Sequence, residues 1–400
     1  MKILFLASRI PYPLFNGEDL RVYHLARGLC ASNSLYLIAY GTKEIPPQVG
    51  EIFSQIHTLP QKSFARKSQS ALVKMKNAFS SEQLFPFDPR LDSLIKGIVN
   101  GEAIDLIWVP AWEMIPYVNN IQQIPVCFDV MDDGVLEYVR ELCHPKHLMK
   151  WFLDLKRLFV NYCFERKYFP HASFCCLVSE KDAEMLKWVC PKANPVFIPN
   201  GVDLEYFYPM EFPEDYPSLI FEGNMGFPPS VDGILYFCER IFPDILKEIP
   251  NVKLYIVGRN PDLQVQRLAG KNVTVTGFVQ DVRPYLAKAS IFICPMRKGA
   301  GIKNKILQAW AMGKPVIATS LSCGGLRINP GENIFVSDEP SEFASTIVDL
   351  LRDKGKRRRL GEKAAETVKE YYSWESQVRK LDEMMIQAVE DNKKQQKTNA

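Results

Sequence analysis

Short runs of apolar residues alternate with amphipathic stretches along nearly the whole chain, and they fall into two successive series. The first series is Ile3–Ala7, Ser34–Ala39, Ile104–Val109, Val126–Val130, Ser173–Val178 and Val196–Pro199, and the second is Ser218–Glu222, Val252–Val257, Val273–Thr276, Ser290–Cys294, Pro315–Ala318 and Ile334–Val336. Unbroken apolar strands joined by helices are typical of parallel sheets that are covered on both faces. Two such series predict an α/β protein with two Rossmann-like domains.

The boundary between the two predicted domains falls at Ile198–Asp203, where a proline is followed by an Asn-Gly turn sequence. Near the C-terminus, Ser373 is placed to cap a helix whose apolar residues recur at helical spacing. The chain is therefore predicted to have four parts, which are a first domain over 1–198, a second domain over 199–372, a final helix over 373–390 and a disordered polar tail over 391–400.

Composition excludes several classes of protein. Among 400 residues, 49 Lys and Arg nearly balance 46 Asp and Glu, and the net charge of +3 is far below that of a general nucleic-acid binder. No apolar run approaches the roughly 18 residues of a spanning helix, and the N-terminus lacks a signal-peptide pattern. The ten cysteines contain no C-x-x-C pair, and the five histidines show no metal-ligand spacing. These features predict a cytoplasmic protein with reduced cysteines, no bound metal and no nucleic-acid partner.

A basic, glycine-containing loop opens a predicted helix at Arg297–Trp310. Four cations lie within nine residues, and they are Arg297, Lys298, Lys303 and Lys305. Cations in the first turn of a helix oppose its dipole, so an anion bound there would explain them. At about 100° per residue, Asn304, Lys305 and Gln308 share one polar face. The alternative interpretation is the basic start of an ordinary surface helix.

Further turns follow predicted strands, at the edge where open parallel sheets bind ligands. Glu222–Gly226 contains two glycines, and its N–H groups either cradle a phosphate or belong to a simple turn. The loop after the first strand ends at Gly17 and is either a ligand-binding loop or a long connection. Asp129 and Asp132 follow another strand, and they either meet sugar hydroxyls or cap the next helix.

The segment Gly301–Thr319 resembles the donor-site signature of glycosyltransferase family 4, a family of retaining enzymes with the GT-B fold. Within that family the chain is most similar to exopolysaccharide-associated sugar transferases. Four other segments resemble the first loop, the interdomain segment, the loop that approaches the base and the start of the C-terminal helix, and they are Ile10–Leu25, Ile198–Asp203, Gly277–Arg283 and Tyr372–Trp374.

The resemblance implies two Rossmann-like domains whose sheets face each other across a cleft, with a final helix that crosses back to the first domain. The first domain would bind the acceptor, and the second would bind a nucleotide diphosphate sugar. The implied reaction is retaining, metal-independent transfer of a hexose to a glycan or lipid-linked acceptor in cell-surface polysaccharide synthesis, without a cofactor.

The resemblance also assigns residues to this reaction. Lys305 and Arg297 would be catalytic, because they would stabilise the charge of the leaving diphosphate. The donor-binding residues would be Gly223, Asn224, Phe278, Val279, Gly299, Gly301, Ile302, Lys303, Asn304 and Gln308. The acceptor or phosphate loop would contain Gly17, Asp129 and Asp132.

Two departures from the family pattern leave the activity open. Gln308 stands where the family usually has a Glu that accepts from both ribose hydroxyls, whereas Gln offers one uncharged acceptor oxygen. Val109–Glu113 contains no counterpart of the family's catalytic His. A non-catalytic nucleotide-sugar binder or scaffold is therefore an alternative, and so is a sugar-nucleotide epimerase of the same fold.

Two segments of the first domain combine cations with apolar residues. Gln61–Ser80 contains five cations and no acid, and Lys146–Phe169 contains six cations beside Trp and Phe. Each cation near an anionic leaflet contributes about 1 kcal/mol, and adjoining apolar residues can insert shallowly. We predict peripheral binding to the inner face of an anionic membrane. The alternative is a pair of ordinary packed helices with solvated basic faces.

Overall fold

The computed structural model describes residues 1–14, 17–42, 44–60, 85, 87–142, 148–299 and 301–399. The chain forms two units, which we call the first domain (Met1–Pro199 with Gln377–Ala400) and the second domain (Asn200–Ser376). The predicted basic segment Gln61–Ser80 lies outside the described residues, as does Lys146 at the start of the other basic segment.

The first domain is built on a seven-stranded sheet in the order β3-β2-β1-β4-β5-β6-β7, with parallel pairing throughout. Its strands are β1 (Lys2–Ala7), β2 (Ser34–Tyr40), β3 (Gln55–Leu59), β4 (Leu106–Val109), β5 (Val126–Met131), β6 (Phe174–Leu177) and β7 (Pro195–Phe197). Its described helices are α1 (Gly17–Leu29), α2 (Pro47–Gly50), α3 (Pro89–Gly101), α4 (Ile115–Val118), α5 (Gly134–Leu142), α6 (Leu148–Tyr168) and α7 (Glu180–Val189). Consecutive residues of β1 are fully buried, and because neighbouring side chains point to opposite faces, both faces of the sheet are covered.

The sequence does not predict the edge strand β3. Its sequence, Gln-Ile-His-Thr-Leu, is mostly polar, and none of the five residues is fully buried. In the described part of the sheet β3 lies at the edge beside β2, and its side chains are less completely covered than those of the central strands, which form continuous apolar runs.

The second domain is built on a six-stranded sheet in the order β10-β9-β8-β11-β12-β13, again with parallel pairing. Its strands are β8 (Ser218–Glu222), β9 (Lys253–Val257), β10 (Val273–Val275), β11 (Ile291–Cys294), β12 (Val316–Ala318) and β13 (Phe335–Val336). Its helices are α8 (Pro228–Arg240), α9 (Phe242–Glu248), α10 (Leu263–Gln266), α11 (Arg283–Lys288), α12 (Asn304–Ala311), α13 (Pro340–Arg352) and α14 (Lys354–Tyr371). Each strand falls within its predicted apolar run, and the predicted α/β class with two parallel sheets is confirmed.

The C-terminal helix α15 (Trp374–Asn399) is longer than predicted. Ser373 accepts a backbone N–H of its first turn at 3.2 Å, as expected for a cap. The residues predicted to form a disordered tail are instead helical, because Asn392 and Gln396, one turn apart, both donate to the carbonyl oxygen of Gln123 at 3.0 and 2.7 Å. Neither α15 nor any other helix in the described ranges is long and apolar enough to cross a membrane.

Candidate functional site

The carboxyl ends of β8 and β11 lie side by side, because these strands are neighbours in the second sheet. The chain leaves β8 through the turn Gly223–Gly226, and it leaves β11 through a loop that ends at Lys303. Ligands of open parallel sheets bind at this edge. The fold therefore brings together the two glycine-containing segments that the sequence indicates.

Lys305, in the first turn of α12, returns its side chain towards β8. Its Nζ atom lies 4.3 Å from the centroid of the Phe221 ring. The same Nζ is buried and has no hydrogen-bond partner in the described part of the chain. A cation–π contact stabilises a desolvated ammonium group by about 2 kcal/mol, but a buried charged donor without an acceptor remains costly. An anionic ligand at this edge would supply the acceptor that Lys305 lacks.

Two glycines make room for this arrangement. Gly223 has a φ of +144°, and a Cβ atom at this position would lie 2.7 Å from Nζ of Lys305. Gly258, which follows β9, has a φ of +147°, and a Cβ there would overlap the carbonyl oxygen of Gly223. A side chain at either position would displace the ammonium group or the peptide that faces it. The shape of the turn is therefore set by bare backbone.

Glu222, the last residue of β8, adds a carboxylate to this region. Burial raises the pKa of Glu222, and the positive charge of Lys305 opposes that rise. Burial raises the pKa of the Cys294 thiol, at the end of β11. Lys305 and Lys303 oppose that rise and Glu222 adds to it, so these groups share one electrostatic environment. A phosphate bound beside Lys305 would raise the pKa of Glu222 further.

Arg297 and Lys298 are held by an acid of the protein itself. The Arg297 guanidinium donates to both carboxylate oxygens of Asp232, on α8, at 3.0 and 3.1 Å. Lys298 Nζ donates to the same carboxylate at 2.7 Å, and these two cations hold the pKa of Asp232 below its usual range. Arg297 could contact a diphosphate only by giving up part of this pairing.

The residues that lead into α12 differ in which of their groups a ligand could reach. Lys303 is buried, and its Nζ donates to the carbonyl oxygen of Gly301 at 2.9 Å, close to Gly299. Ile302 is buried in the core, so only its backbone can reach a ligand. Asn304 accepts from the buried Asn200 at 3.2 Å.

The remaining predicted donor-binding residues lie around this centre. Asn224 accepts from the N–H of Gly226 at 3.1 Å and so holds its own turn. Gln308 is half-buried, one helical turn beyond Lys305. Phe278 and Val279 follow β10, two strands away from β8 and hence about 10 Å across the sheet. The Phe278 ring is 71% exposed, and it is free to stack on a planar ligand.

In the first domain, the predicted acceptor residues do not form one exposed group. Gly17 is the first residue of α1, and Asp132 is half-buried beyond β5. Asp129 is buried, and both of its oxygens accept from Nε of the buried Arg21 at 2.9 and 2.8 Å. This carboxylate is therefore committed to an internal ion pair, and we do not retain Asp129 as an acceptor-binding residue.

Sequence reasoning misses Phe221 and Asp232, and it includes Glu222 only as the first residue of the Glu222–Gly226 turn, without a role for its carboxylate. Phe221 lies inside a predicted strand and Asp232 inside a helix, so both would be assigned to packing or to a solvated face. A signal exists for Glu222, because a charged residue at the end of a buried strand is rarely there for packing. Asp232 has none, since its bonds to Arg297 and Lys298 arise only in the folded chain.

Positive charge dominates the edge described above. It comes from Lys303, Lys305 and the N-terminus of α12, whose N-cap residue makes no side-chain capping bond. Within the described ranges, no group of three or more His, Cys, Asp or Glu side chains is placed to hold a metal ion. The expectations that the protein uses neither metal nor cofactor stay predictions.

Residues 216–353 match the family model described as Glycosyl transferases group 1. This part of the second domain is similar to the group 1 glycosyl transferases. The family resemblance of the sequence is thereby confirmed, and it is confirmed in the domain that holds Lys305, Gly223 and Gln308.

Similar curated proteins match part of this chain and part of their own length. The lipopolysaccharide core biosynthesis glycosyltransferase LpsE of Rhizobium meliloti is 28% identical over 141 residues, which cover 33% of this chain and 41% of LpsE. The chain spans about two fifths to one half of the length of the curated relatives that it matches.

Solved structures match nearly the whole chain. Sucrose-phosphate synthase from Thermosynechococcus elongatus is 19% identical with a TM-score of 0.71, over 96% of this chain and 98% of that one. HepE from Anabaena, solved in complex with UDP and glucose, is 16% identical with a TM-score of 0.67, over 96% and 99%. Such low identities show the fold alone, and they confirm the predicted GT-B class.

Proposed function

We propose that the protein transfers a hexose from a nucleotide diphosphate sugar to a hydroxyl of a glycan or lipid-linked acceptor in cell-surface polysaccharide synthesis. The observation that carries this proposal is the buried ammonium group of Lys305 at the ligand edge of the second domain, for which the described residues supply no hydrogen-bond partner. Similarity to LpsE and the fold shared with UDP-bound HepE support it. We propose further that the reaction occurs at the inner face of the cytoplasmic membrane.

The chemistry requires stabilisation of the departing diphosphate. As the bond between the anomeric carbon and the phosphate oxygen breaks, negative charge grows on the diphosphate, where Lys305 and the N–H groups at the start of α12 would stabilise it. Arg297 would assist after leaving Asp232. In the retaining mechanism that we propose, the acceptor oxygen bonds to the anomeric carbon from the same face, and its proton passes to the leaving phosphate. No protein nucleophile or metal ion is then required.

A panel of nucleotide sugars tests the proposal directly. We expect UDP-, GDP- or ADP-linked hexoses to raise the melting temperature, because a ligand that binds only the folded state stabilises it. The donor that stabilises should then be consumed slowly in water and faster with an acceptor glycan. If no nucleotide sugar stabilises the protein, the proposal is wrong.

Gln308 favours a second candidate, a nucleotide-sugar binder without catalytic activity, because the charged ribose acceptor of the family is replaced by an amide. Such a protein would be stabilised by nucleotide sugars and would leave them intact. An epimerase would convert the donor to an isomer in the absence of any acceptor. Product analysis of donor incubated alone therefore separates the three candidates.

The Gln308→Glu variant is expected to bind nucleoside diphosphates about fivefold more tightly than the natural protein. A carboxylate accepts from two ribose hydroxyls, and a hydrogen bond to a charged acceptor is stronger by about 1 kcal/mol. Isothermal titration with UDP and GDP measures the change. The control is Gln308→Ala, whose side chain has no hydrogen-bond acceptor. Weaker binding by the Glu variant would indicate that Gln308 serves a different ligand geometry.

A further inference from the structure

The first half of α6 exposes apolar side chains that a helix of this composition would normally bury. Eight of the twelve residues from Leu148 to Phe159 are large and apolar, and none of the eight is buried. The exposed fractions of Leu148 and Met149 are 70% and 73%. Contiguous apolar surface of this kind marks an interaction site in a folded protein.

The side of α6 that faces its own domain is polar along the same stretch. Asp154 is the only buried residue between Leu148 and Phe159. Further along the helix, Asn161 and Glu165 continue the buried side together with the apolar Val160, Phe164 and Tyr168, so only the first half lacks buried apolar residues. At about 100° per residue Asp154, Asn161 and Glu165 lie opposite the exposed stripe, which consists of Leu148, Phe152, Leu155 and Phe159. The first half of α6 is thus packed with its amphipathicity reversed.

The exposed surface surrounds the helix rather than lying on one side of it. All six residues from Leu148 to Leu153 are exposed, so the first turns have no covered face. A protein partner would cover one face and leave Met149 or Trp151 in water. A helix start that carries exposed apolar side chains on most of its circumference is suited to a medium that surrounds it, as the interfacial region of a bilayer does.

The charges on this stretch select the kind of bilayer. The cations from Leu148 to Phe159 are Lys150, Lys156 and Arg157. Asp154, the single acid, is buried and lies 3.5 Å from Arg157, so this stretch keeps a net positive charge of three cations against one acid. Long cationic side chains and Trp151 are well suited to the boundary between headgroups and acyl chains. Anionic headgroups complement this surface.

We propose that the first three turns of α6 insert into the interfacial region of an anionic phospholipid bilayer. This names the membrane-contacting element for the proposed function, and it rests on that function only in assuming an acceptor at a membrane. The patch, Leu148–Phe159, is exposed, so substitutions within it change its apolar surface without altering the core.

Vesicle sedimentation tests the proposal with the full chain. We expect recovery with vesicles of phosphatidylcholine and phosphatidylglycerol in equal parts, much less recovery with phosphatidylcholine alone, and a decrease as salt is raised. The double variant L148S/F152S should lower partitioning to the anionic vesicles at least tenfold. The matched control is Trp188→Ser, which removes a 76% exposed aromatic ring from α7 of the same domain. It should leave partitioning unchanged.

Fluorescence reports on the insertion itself. In the Trp188→Ser background, anionic vesicles should shift the emission to shorter wavelength, and brominated acyl chains should quench it through Trp151. The proposal is overturned if the natural protein binds neither vesicle or if the double variant binds as well as the natural protein. It is also overturned if the double variant only converts a dimer into a monomer, since a second copy would then cover the patch.

Nucleotide binding, measured on the same preparations, separates this proposal from the proposed function. We expect the double variant to keep its affinity for UDP or GDP, because α6 belongs to the first domain and Lys305 to the second. Vesicle binding without stabilisation by any nucleotide sugar would contradict only the proposed function. Nucleotide binding without vesicle binding would contradict only the insertion of α6.

Discussion

Replacing Lys305 by alanine is expected to lower the affinity for nucleoside diphosphates by about tenfold or more. Hydrogen bonds between an ammonium group and a phosphate oxygen are charge-assisted and contribute about 1.5–3 kcal/mol. In the natural protein the Lys305 Nζ makes no hydrogen bond to any residue that the structure describes, so a ligand contact would not have to replace one of these. Isothermal titration with UDP and GDP measures the effect.

The matched control for this prediction is Lys298→Ala. Lys298 belongs to the same segment, Arg297–Trp310, but it is exposed and bonded to Asp232. Its removal should change the affinity less than twofold. If Lys305→Ala binds as tightly as the natural protein while its circular dichroism is unchanged, then the diphosphate does not bind beside Gly223 and the site is assigned wrongly.

The second large effect concerns two carboxylates that cap the start of α5. The N–H of Leu136 donates to Asp133 at 2.7 Å, and the N–H of Val135 donates to Glu165 at 3.2 Å. The other oxygen of each carboxylate is buried and has no hydrogen-bond partner among the residues that the structure describes. Two acids thus share one helix N-terminus in the interior of the first domain.

This arrangement makes stability depend on pH. Burial and the charge of Asp133 raise the pKa of Glu165 from 4.5 to about 9, and burial and Asp182 raise the pKa of Asp133 from 3.8 to about 7. At pH values between the unfolded and the folded pKa of each group, the folded state holds a proton that the unfolded state has lost. The stability that Glu165 and Asp133 contribute is therefore fully present below their unfolded pKa values, and it falls as pH rises towards about 9.

The Glu165→Gln variant is expected to melt at least about 5 °C above the natural protein at pH 8 and close to it at pH 5. The amide oxygen still accepts from Val135, while the uptake of one proton on folding is abolished. A weaker pH dependence remains, because Asp133 still titrates. Thermal unfolding across this pH range measures both effects.

The control is Glu184→Gln, at an exposed position of α7, which should reproduce the natural pH profile. A natural protein whose melting temperature rises between pH 5 and pH 8 would contradict the assignment. So would a Glu165→Gln variant that is less stable than the natural protein at pH 8.

The strands could be predicted where their residues form apolar runs, including the edge strands β7, β10 and β13, and not where polar residues predominate. β8 and β11 appear in the sequence as continuous apolar runs because both faces of their sheet are covered and their residues are nearly all buried. β3 carries Gln, His and Thr among its five residues and is only partly buried, so it offers no apolar run. The reversed packing of α6 could not be predicted, because helical periodicity separates two faces without indicating which one faces the core.

The site could be predicted as a segment but not as a set of contacts. Motif spacing places Lys305 and Gln308 on one face of α12, and this depends only on local helical geometry. The position of Lys305 over Phe221 and the pairing of Arg297 with Asp232 join residues more than sixty positions apart. Such contacts depend on strand order and loop conformation, which no local pattern encodes.

The close approach of Gly258 to Gly223 divides the ligand edge into a part that must be kept and a part that can be redesigned. The two glycines permit this close approach and Asn224 holds the turn through the N–H of Gly226, so its geometry does not depend on the aromatic side chains nearby. Phe227 and Phe278 are exposed at this edge of the domain and contribute little to its core. A library that varies these two positions and retains both glycines could therefore search for altered donor preference at low cost to folding.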